Sequence, residues 1–376
     1  MTELRQSNPA EPGIVRRRRG RGFSYHYSDG RPVRDRRALD RIRALVLPPA
    51  WTDVWICRWP DGHIQAVGTD TAGRRQYRYH DDWRREQDRL KFDRVLEMAE
   101  RLPTFRERVA EHLGQRGLTR ERVLAAAARM LDIGFFRVGG EAYESFGLAT
   151  LRMEHVACSA GRVVCSYPAK GGKQREVEIM DADVCKVVTA LHRAAEEGEL
   201  LRYQDGSRWV DVRSDDINAY LRETLETEVS AKDFRTWHGT VLAAVGLAVS
   251  ARARSRTGRR RAISRVVNEV AGYLGNTPAV ARASYIDPRV IEAYERGRTV
   301  GPALGKLGAD AAFGQLATHG GVEQAVISLL RDSAREGSRR KARRGGGRRG
   351  GRVKTEGRVR TRNRVKDEAT SKPRAA

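Results

Sequence analysis

No stretch of about 18 apolar residues occurs in this 376-residue chain, so nothing in it is expected to span a bilayer. Arg16 to Arg19 near the amino terminus have no apolar run behind them, which argues against a secretory signal. Cysteine is scarce: Cys57, Cys158, Cys165 and Cys185 stand far apart, with no C-x-x-C pair. That spacing speaks against a zinc site and a disulfide framework. It suits a reducing cytoplasm and leaves the four thiols as expected buried small hydrophobes. Also missing are a carboxylate cluster, a histidine pair and the G-x-x-x-x-G-K-S/T loop that cradles nucleotide phosphates. The chemistry is therefore expected to need neither metal nor nucleotide, and no cofactor is implied. No internal repeat is visible.

Negative charge is in short supply as well. Against 48 Asp and Glu stand 72 Lys and Arg, a formal charge of +24. A polyanion is the natural partner, with nucleic acid first and an anionic membrane surface second. From Gly337 onward there are 16 Lys or Arg and 3 acidic residues, so more than half of the net charge sits in a Gly/Arg-rich tail. Such a stretch cannot build a core, and its charge density favours non-specific attachment to nucleic acid.

The length suffices for two domains and tails. Residues 1–22 are polar and basic and are expected to be disordered. From Phe23 to about residue 85 the signals are β-rich. Trp51 to Trp59 alternates and is aromatic, Pro60-Asp61-Gly62-His63 is a turn, and Ile64 to Val67 resumes the pattern. A short helix is expected near Arg37 to Val46. Residues 86–315 read as mainly helical, opening with a Thr119-capped run to Asp132 in which Val123, Ala127, Met130 and Leu131 recur at helical spacing. A hairpin interrupts it, Arg162 to Tyr167 followed by Arg175 to Ile179. Helices then return at Ala182–Glu197, Asp215–Leu225 and Phe234–Ala248. Arg252 to Arg261 reads as a basic loop, 316–335 as a C-terminal helix and 336–376 as a disordered tail. The fold class is thus α+β, a small β-rich amino-terminal domain before a mainly α-helical one, with basic tails.

The most specific local device lies at Tyr273-Leu274-Gly275-Asn276-Thr277-Pro278, nine residues before Tyr285. Val266, Val267, Val270 and Leu274 share a helical face, Gly275 suits a left-handed terminator, and Thr277 with Pro278 opens a new helix. Tyr285 would stand about two turns into that helix, at a fixed distance from Asn276. Three basic residues sit in conspicuous settings: Arg137 between aromatics and glycines, Lys170 at the hairpin tip and Arg235 at a helix start. Each alone is an ordinary surface charge. Together with Asn276 and Tyr285 they spell a reaction. Two guanidiniums can clamp a phosphate, a lysine can protonate a departing sugar oxygen, and a phenol can attack phosphorus.

These motifs resemble, in family order, the type IB DNA topoisomerases in their compact bacterial and poxvirus form. Phe136-Arg137-Val138-Gly139 is similar to the family's first arginine motif, and Arg162 to Lys173 to its lysine hairpin. Lys232-Asp233-Phe234-Arg235-Thr236-Trp237 is similar to the second arginine motif, and Tyr273 to Tyr285 to the nucleophile motif. Gly73 to Tyr79 resembles a DNA-contacting segment. The resemblance, over roughly residues 25–300, implies a catalytic set of Tyr285, Arg137, Lys170, Arg235 and Asn276. It implies DNA contacts through Arg74, Gln76, Tyr77, Tyr79 and Tyr143. Two departures stand out: Asn276 where many relatives carry histidine, and Ala169 where glycine usually precedes the lysine.

The resemblance further implies a cytoplasmic, nucleoid-associated monomer that closes on duplex DNA as a clamp. It would relax supercoils through a 3′-phosphotyrosyl intermediate without ATP or metal. Two other readings remain open to the sequence. A tyrosine recombinase shares the fold type and catalytic set, but it usually shows His-x-x-Arg where this chain has Lys232 before Arg235, and its amino-terminal domain is typically helical. A non-catalytic nucleoid protein would use only the basic tail and loop.

Overall fold

The structure, a computed structural model, describes residues 3–139, 146–169, 172–195, 197–250, 255–307 and 319–346. An antiparallel sheet opens the chain. β1 (Ile14–Arg19) and β2 (Gly22–Tyr27) form a hairpin and α1 (Arg36–Ala44) crosses one face. β3 (Thr52–Ile56), β4 (Ile64–Thr69) and β5 (Arg75–Tyr79) then complete the order β2-β1-β3-β4-β5. Period-two alternation decides which face is buried. Ile14, Val54, Ile56 and Ala66 pack with Ile42 of α1, and Tyr25, Tyr27 and Leu39 close around them.

β1 overturns the expectation that residues 1–22 are disordered. Its basic composition conceals a half-buried strand. Ile14 enters the core, and Arg16 donates to the carbonyls of Pro48 and Trp51 while lying 4.2 Å over the Phe23 ring. A guanidinium satisfied in this way can lie against apolar surface.

The helical part begins with α2 (Asp81–Leu113), so residues 81–85, expected within the β-rich module, belong to a helix. α3 (Arg120–Gly134) follows, with the Thr119 hydroxyl accepting from Arg122 N–H as its cap. β6 (Val156–Ser159), β7 (Arg162–Ala169) and β8 (Lys173–Met180) form a three-stranded sheet before α4 (Ala182–Ala194). β9 (Arg202–Asp205) and β10 (Arg208–Asp211) add a small hairpin that the sequence pattern does not announce. Then come α5 (Ser214–Leu225), α6 (Ala231–Val249) and α7 (Arg256–Leu274).

α7 starts inside the stretch expected as a basic loop, because the Ser255 hydroxyl caps it by accepting from Gly258 N–H. α8 (Pro278–Ser284), α9 (Pro288–Glu295), α10 (Gly301–Leu307) and α11 (Gly321–Gly346) complete the chain. α11 runs past residue 336 into the segment expected to be disordered. The first 329 residues form one compact unit, and residues 330–376 are a second.

A buried charged knot ties the helices that carry the site. Arg106 of α2 donates to Asp132 of α3 (2.8 Å) and to Glu323 of α11 (2.6 Å), while Trp237 Nε1 on α6 donates to the same Glu323 (2.8 Å). Burial alone would raise the Asp132 carboxyl, but bonds from His319 and Arg106 outweigh it and hold the group well below the usual carboxylate range. The cysteines divide in two. Cys57 and Cys165 are free and buried as expected, whereas Cys158 and Cys185 form a disulfide, contrary to expectation. They are 27 residues apart in sequence, but the packing of α4 on β6 brings their Cα atoms to 5.7 Å.

Candidate active site

Four segments converge: the residues after α3, the β7–β8 hairpin, the start of α6 and the turn after α7. α7 buries Val266, Val267, Val270 and Leu274, the face its apolar spacing predicts, and Gly275 ends it at φ 59°. A side chain would be strained at that φ, and a Cβ would lie 2.7 Å from Arg175 Nη1. The backbone conformation thus favours glycine, and a Cβ would also push aside the tip of the Arg175 side chain.

Three consecutive carbonyls at this helix end accept from three different arginines. Arg175 Nη2 donates to Tyr273 O (3.1 Å), Arg235 Nη2 to Leu274 O (2.6 Å) and Arg137 Nη2 to Gly275 O (2.7 Å). Terminal carbonyls lack partners within a helix and carry the negative end of its dipole. Satisfying them gathers three positive charges into one place. Among the described residues no carboxylate pairs with any of the three, so the cluster retains its attraction for an anion.

Phe135 reinforces the arrangement. It sits in the left-handed region (φ 55°), a cost for a bulky residue, and its carbonyl accepts from both Arg235 and Arg175. Burial pushes Arg235 down to about 10, with Arg137 and Arg175 adding to the effect and the Tyr285 phenol opposing it. The group stays protonated at neutral pH. Its Nη2 also donates to Asn276 Oδ1 (2.8 Å), which fixes the amide so that the NH2 of Asn276 is left as donor.

Tyr285 corrects one expectation. α8 has a single short run to Ser284, with Thr277 as cap and Pro278 in its first turn, and Tyr285 caps its end rather than standing within it. What fixes the tyrosine is α6. Gly239 lies one turn beyond Arg235, and a Cβ there would come within 2.6 Å of Tyr285 O. The Thr240 hydroxyl accepts from the N–H of Asp287, two residues further on, at 3.1 Å. One helix therefore presents the Arg235 guanidinium, 5.3 Å from the Tyr285 ring centroid, and also grips the tyrosine's backbone. Lys91 of α2 adds a bond to Ser284 O at 3.3 Å.

Beside this cluster opens a cleft of about 1060 Å³, lined among others by Arg137, Arg175, Asn276, Tyr167 and Ala169. Arg235 is buried and Tyr285 half-buried, and neither belongs to the lining. Of the residues singled out from the sequence, Arg137, Arg235, Asn276 and Tyr285 are brought together. Lys170 and Tyr143 lie outside the described residues, although Ala169, the neighbour of Lys170, lines the cleft. Arg175 is a site residue that sequence reasoning missed. The signal available was its register position, directly opposite Tyr167 in the hairpin. Arg74, Gln76, Tyr77 and Tyr79 are on or beside β5 at the sheet edge. Arg74 and Gln76 both bond Asp70, holding its carboxyl down at about 2, while Tyr77 and Tyr79 are exposed and stacked 6.0 Å apart.

Fold and site together define a protein built to hold an anion between guanidiniums beside a fixed tyrosine. Comparison with known proteins makes this specific. Residues 80–298 match the family described as "Eukaryotic DNA topoisomerase I, catalytic core", and residues 22–70 match "Bacterial DNA topoisomerase IB, N-terminal domain". The chain belongs to the type IB DNA topoisomerases, enzymes that change DNA topology. It is 29% identical over 295 residues to DNA topoisomerase 1B of Acanthamoeba polyphaga mimivirus, covering 75% of this chain and 88% of that relative. The recombinase and nucleoid-protein readings are thereby set aside. Among the described residues no helix is long and apolar enough to cross a membrane.

Proposed function

We propose that the chain relaxes supercoiled duplex DNA by transient single-strand cleavage through a 3′-phosphotyrosyl link to Tyr285. The observation that carries this reading is the set of three arginines on the Tyr273, Leu274 and Gly275 carbonyls, with the Tyr285 ring against one of them. A backbone phosphate seated there faces cations on several sides, which stabilise the extra charge of the pentavalent transition state. The Tyr285 oxygen forms a bond to phosphorus, its proton passing to water, as the bond to the 5′ oxygen breaks, and Lys170 gives that leaving oxygen a proton. Asn276 donates a further hydrogen bond to a phosphate oxygen.

One phosphoester replaces another, so the bond energy is kept in the phosphotyrosine and no ATP is needed. After strand rotation the 5′ hydroxyl attacks and restores the backbone. The protein positions and neutralises the phosphate with its own cations, the part a metal plays elsewhere. The chain acts as a monomer closing around duplex in the nucleoid.

The test uses supercoiled plasmid in EDTA without ATP. The expected result is a ladder of relaxed topoisomers and, after detergent quench, protein attached to the 3′ side of the break. Tyr285→Phe is expected to abolish both while still binding DNA. An adduct from the Phe variant, or a 5′ linkage in the wild type, overturns the assignment.

A further inference from the structure

α6 is not the only element that holds the tyrosine. Tyr285 stands between α8, which ends at Ser284, and α9, which begins at Pro288, so its place depends on what fixes the chain on either side. On the near side Lys91 Nζ donates to Ser284 O at 3.3 Å, the carbonyl directly before the tyrosine. On the far side Arg289 Nε and Nη2 donate to Asp287 Oδ2 at 3.0 and 2.7 Å, and Nη1 of the same guanidinium donates to Asp93 Oδ1 at 2.8 Å. Asp287 in turn caps α9 by accepting from the Arg289 N–H. Lys91 and Asp93 are two residues apart on α2. One short stretch of one helix therefore reaches the chain both before and after Tyr285.

Neither contact has the character of a chance surface pair. Asp287 is buried, and Lys91 and Arg289 are half-buried. Burial pushes the Lys91 ammonium down, with Asp88 opposing it. Drawing a cation out of water is a cost that a lysine turned to solvent escapes. The Arg289 fork engages two carboxylates at once, one on the tyrosine's own segment and one on α2, so it straps the two together. α2 is a firm support for such bonds. Its first turn is pinned to the amino-terminal sheet, where Trp83 packs edge-on against His63 with ring centroids 4.9 Å apart, and Phe92 beside Lys91 is buried.

We propose that Lys91 and Asp93 are positioning residues for Tyr285: through Ser284 and the Asp287–Arg289 pair they hold the tyrosine's backbone where its phenol lines up with the seated phosphate. The proposal rests on the reading of Tyr285 as the nucleophile and deepens it. Both residues act through the chain that carries the phenol, with no phosphate contact of their own.

Covalent attachment of the full-length protein to a labelled linear duplex, in single turnover at saturating protein, tests it beside DNA affinity and thermal melts. Lys91→Met keeps the alkyl stem and removes the donor; Asp93→Ala removes the acceptor. Each is expected to slow attachment about tenfold and the double variant about a hundredfold, the scale of a misplacement of about 1 Å. DNA affinity and its salt dependence should stay at the wild-type values. Lys91→Arg, whose guanidinium can still donate to the Ser284 carbonyl, is expected to recover most of the rate. Val109→Ala, a buried change on α2 about 27 Å beyond Lys91, is the control for lost stability. It should lower the melting temperature without slowing attachment. Unchanged attachment in the double variant overturns the proposal. So does equal slowing in Val109→Ala, or a slope of log affinity against log salt reduced by about 0.9 in Lys91→Met, which would make Lys91 a phosphate contact. Wild type and Tyr285→Phe are read in parallel. If the wild type makes an adduct that Tyr285→Phe lacks while the double variant attaches normally, the positioning role alone fails. If the wild type makes none, or Tyr285→Phe makes one, the reading of the active site fails and the positioning role falls with it.

Discussion

Arg175 and Lys170 are five residues apart in sequence, yet the proposed function gives them different chemical jobs, and one substrate change separates them. Loss of an ion that stabilises transition-state charge costs about 10²-fold whatever the leaving group. Loss of a general acid matters only where the leaving group needs a proton. Arg175→Ala is expected to slow single-turnover cleavage about 10²-fold on ordinary DNA and equally on DNA with a 5′-bridging sulfur. Lys170→Ala is expected to be slow on ordinary DNA and largely rescued by sulfur, because a thiolate leaves unprotonated. Rescue of Arg175→Ala by sulfur would make Arg175 part of proton delivery instead.

Among the elements, α6 is the frame of the site: it presents Arg235, grips Tyr285 and is pinned through Trp237 to Glu323. Gly239→Ala inserts a methyl 2.6 Å from Tyr285 O, a backbone atom that cannot swing aside. The tyrosine must shift, and a misplacement of about 1 Å costs about a hundredfold in cleavage. Quenched single-turnover assays beside thermal melts check that the rate falls far more than the stability. The preceding residue on the helix gives a pH dependence. His238 is buried with both ring nitrogens unpaired, and burial pushes it down to about 4 despite nearby Asp132 and Glu323, with His319 and Arg106 pushing the same way. The unfolded chain takes a proton near pH 6.5 that the folded chain refuses until about 4. Stability is therefore full above about pH 6.5 and falls by about 3 kcal/mol as the pH drops to about 4. Melts of wild type and His238→Leu across that window check it. The variant should lose this slope but keep the steeper loss at lower pH, where protonation of Asp132 breaks its bonds to Arg106.

At the scale of the whole molecule, charge sets affinity while geometry sets chemistry. Ending the chain after Gly346 keeps all of α11 and removes 11 Lys or Arg. DNA affinity is expected to fall, and its salt dependence to become shallower by several units, since only some of those side chains can touch phosphate at once. Plasmid relaxation should turn from processive to distributive at lower salt. Collapse of single-turnover cleavage at saturating protein would instead make the tail a structural part of the enzyme.

The sequence by itself determined whatever depends on local chemistry. The apolar face of α7, its glycine stop, the Thr277–Pro278 start of α8 and the Thr119 cap were legible because each rests on backbone preferences within a few residues. The arginines, Asn276 and Tyr285 proposed for catalysis stood out as motifs, although the sequence could not show how they meet. Only the tertiary structure decided that three arginines from α6, β8 and the end of α3 would converge on successive carbonyls of one helix end. It also placed Tyr285 at the end of α8, joined Cys158 to Cys185 and folded the arginine run of β1 into a sheet. All of these turn on partners far away in sequence. A basic strand with one core side chain looks like a disordered tail until the sheet that buries Ile14 is present.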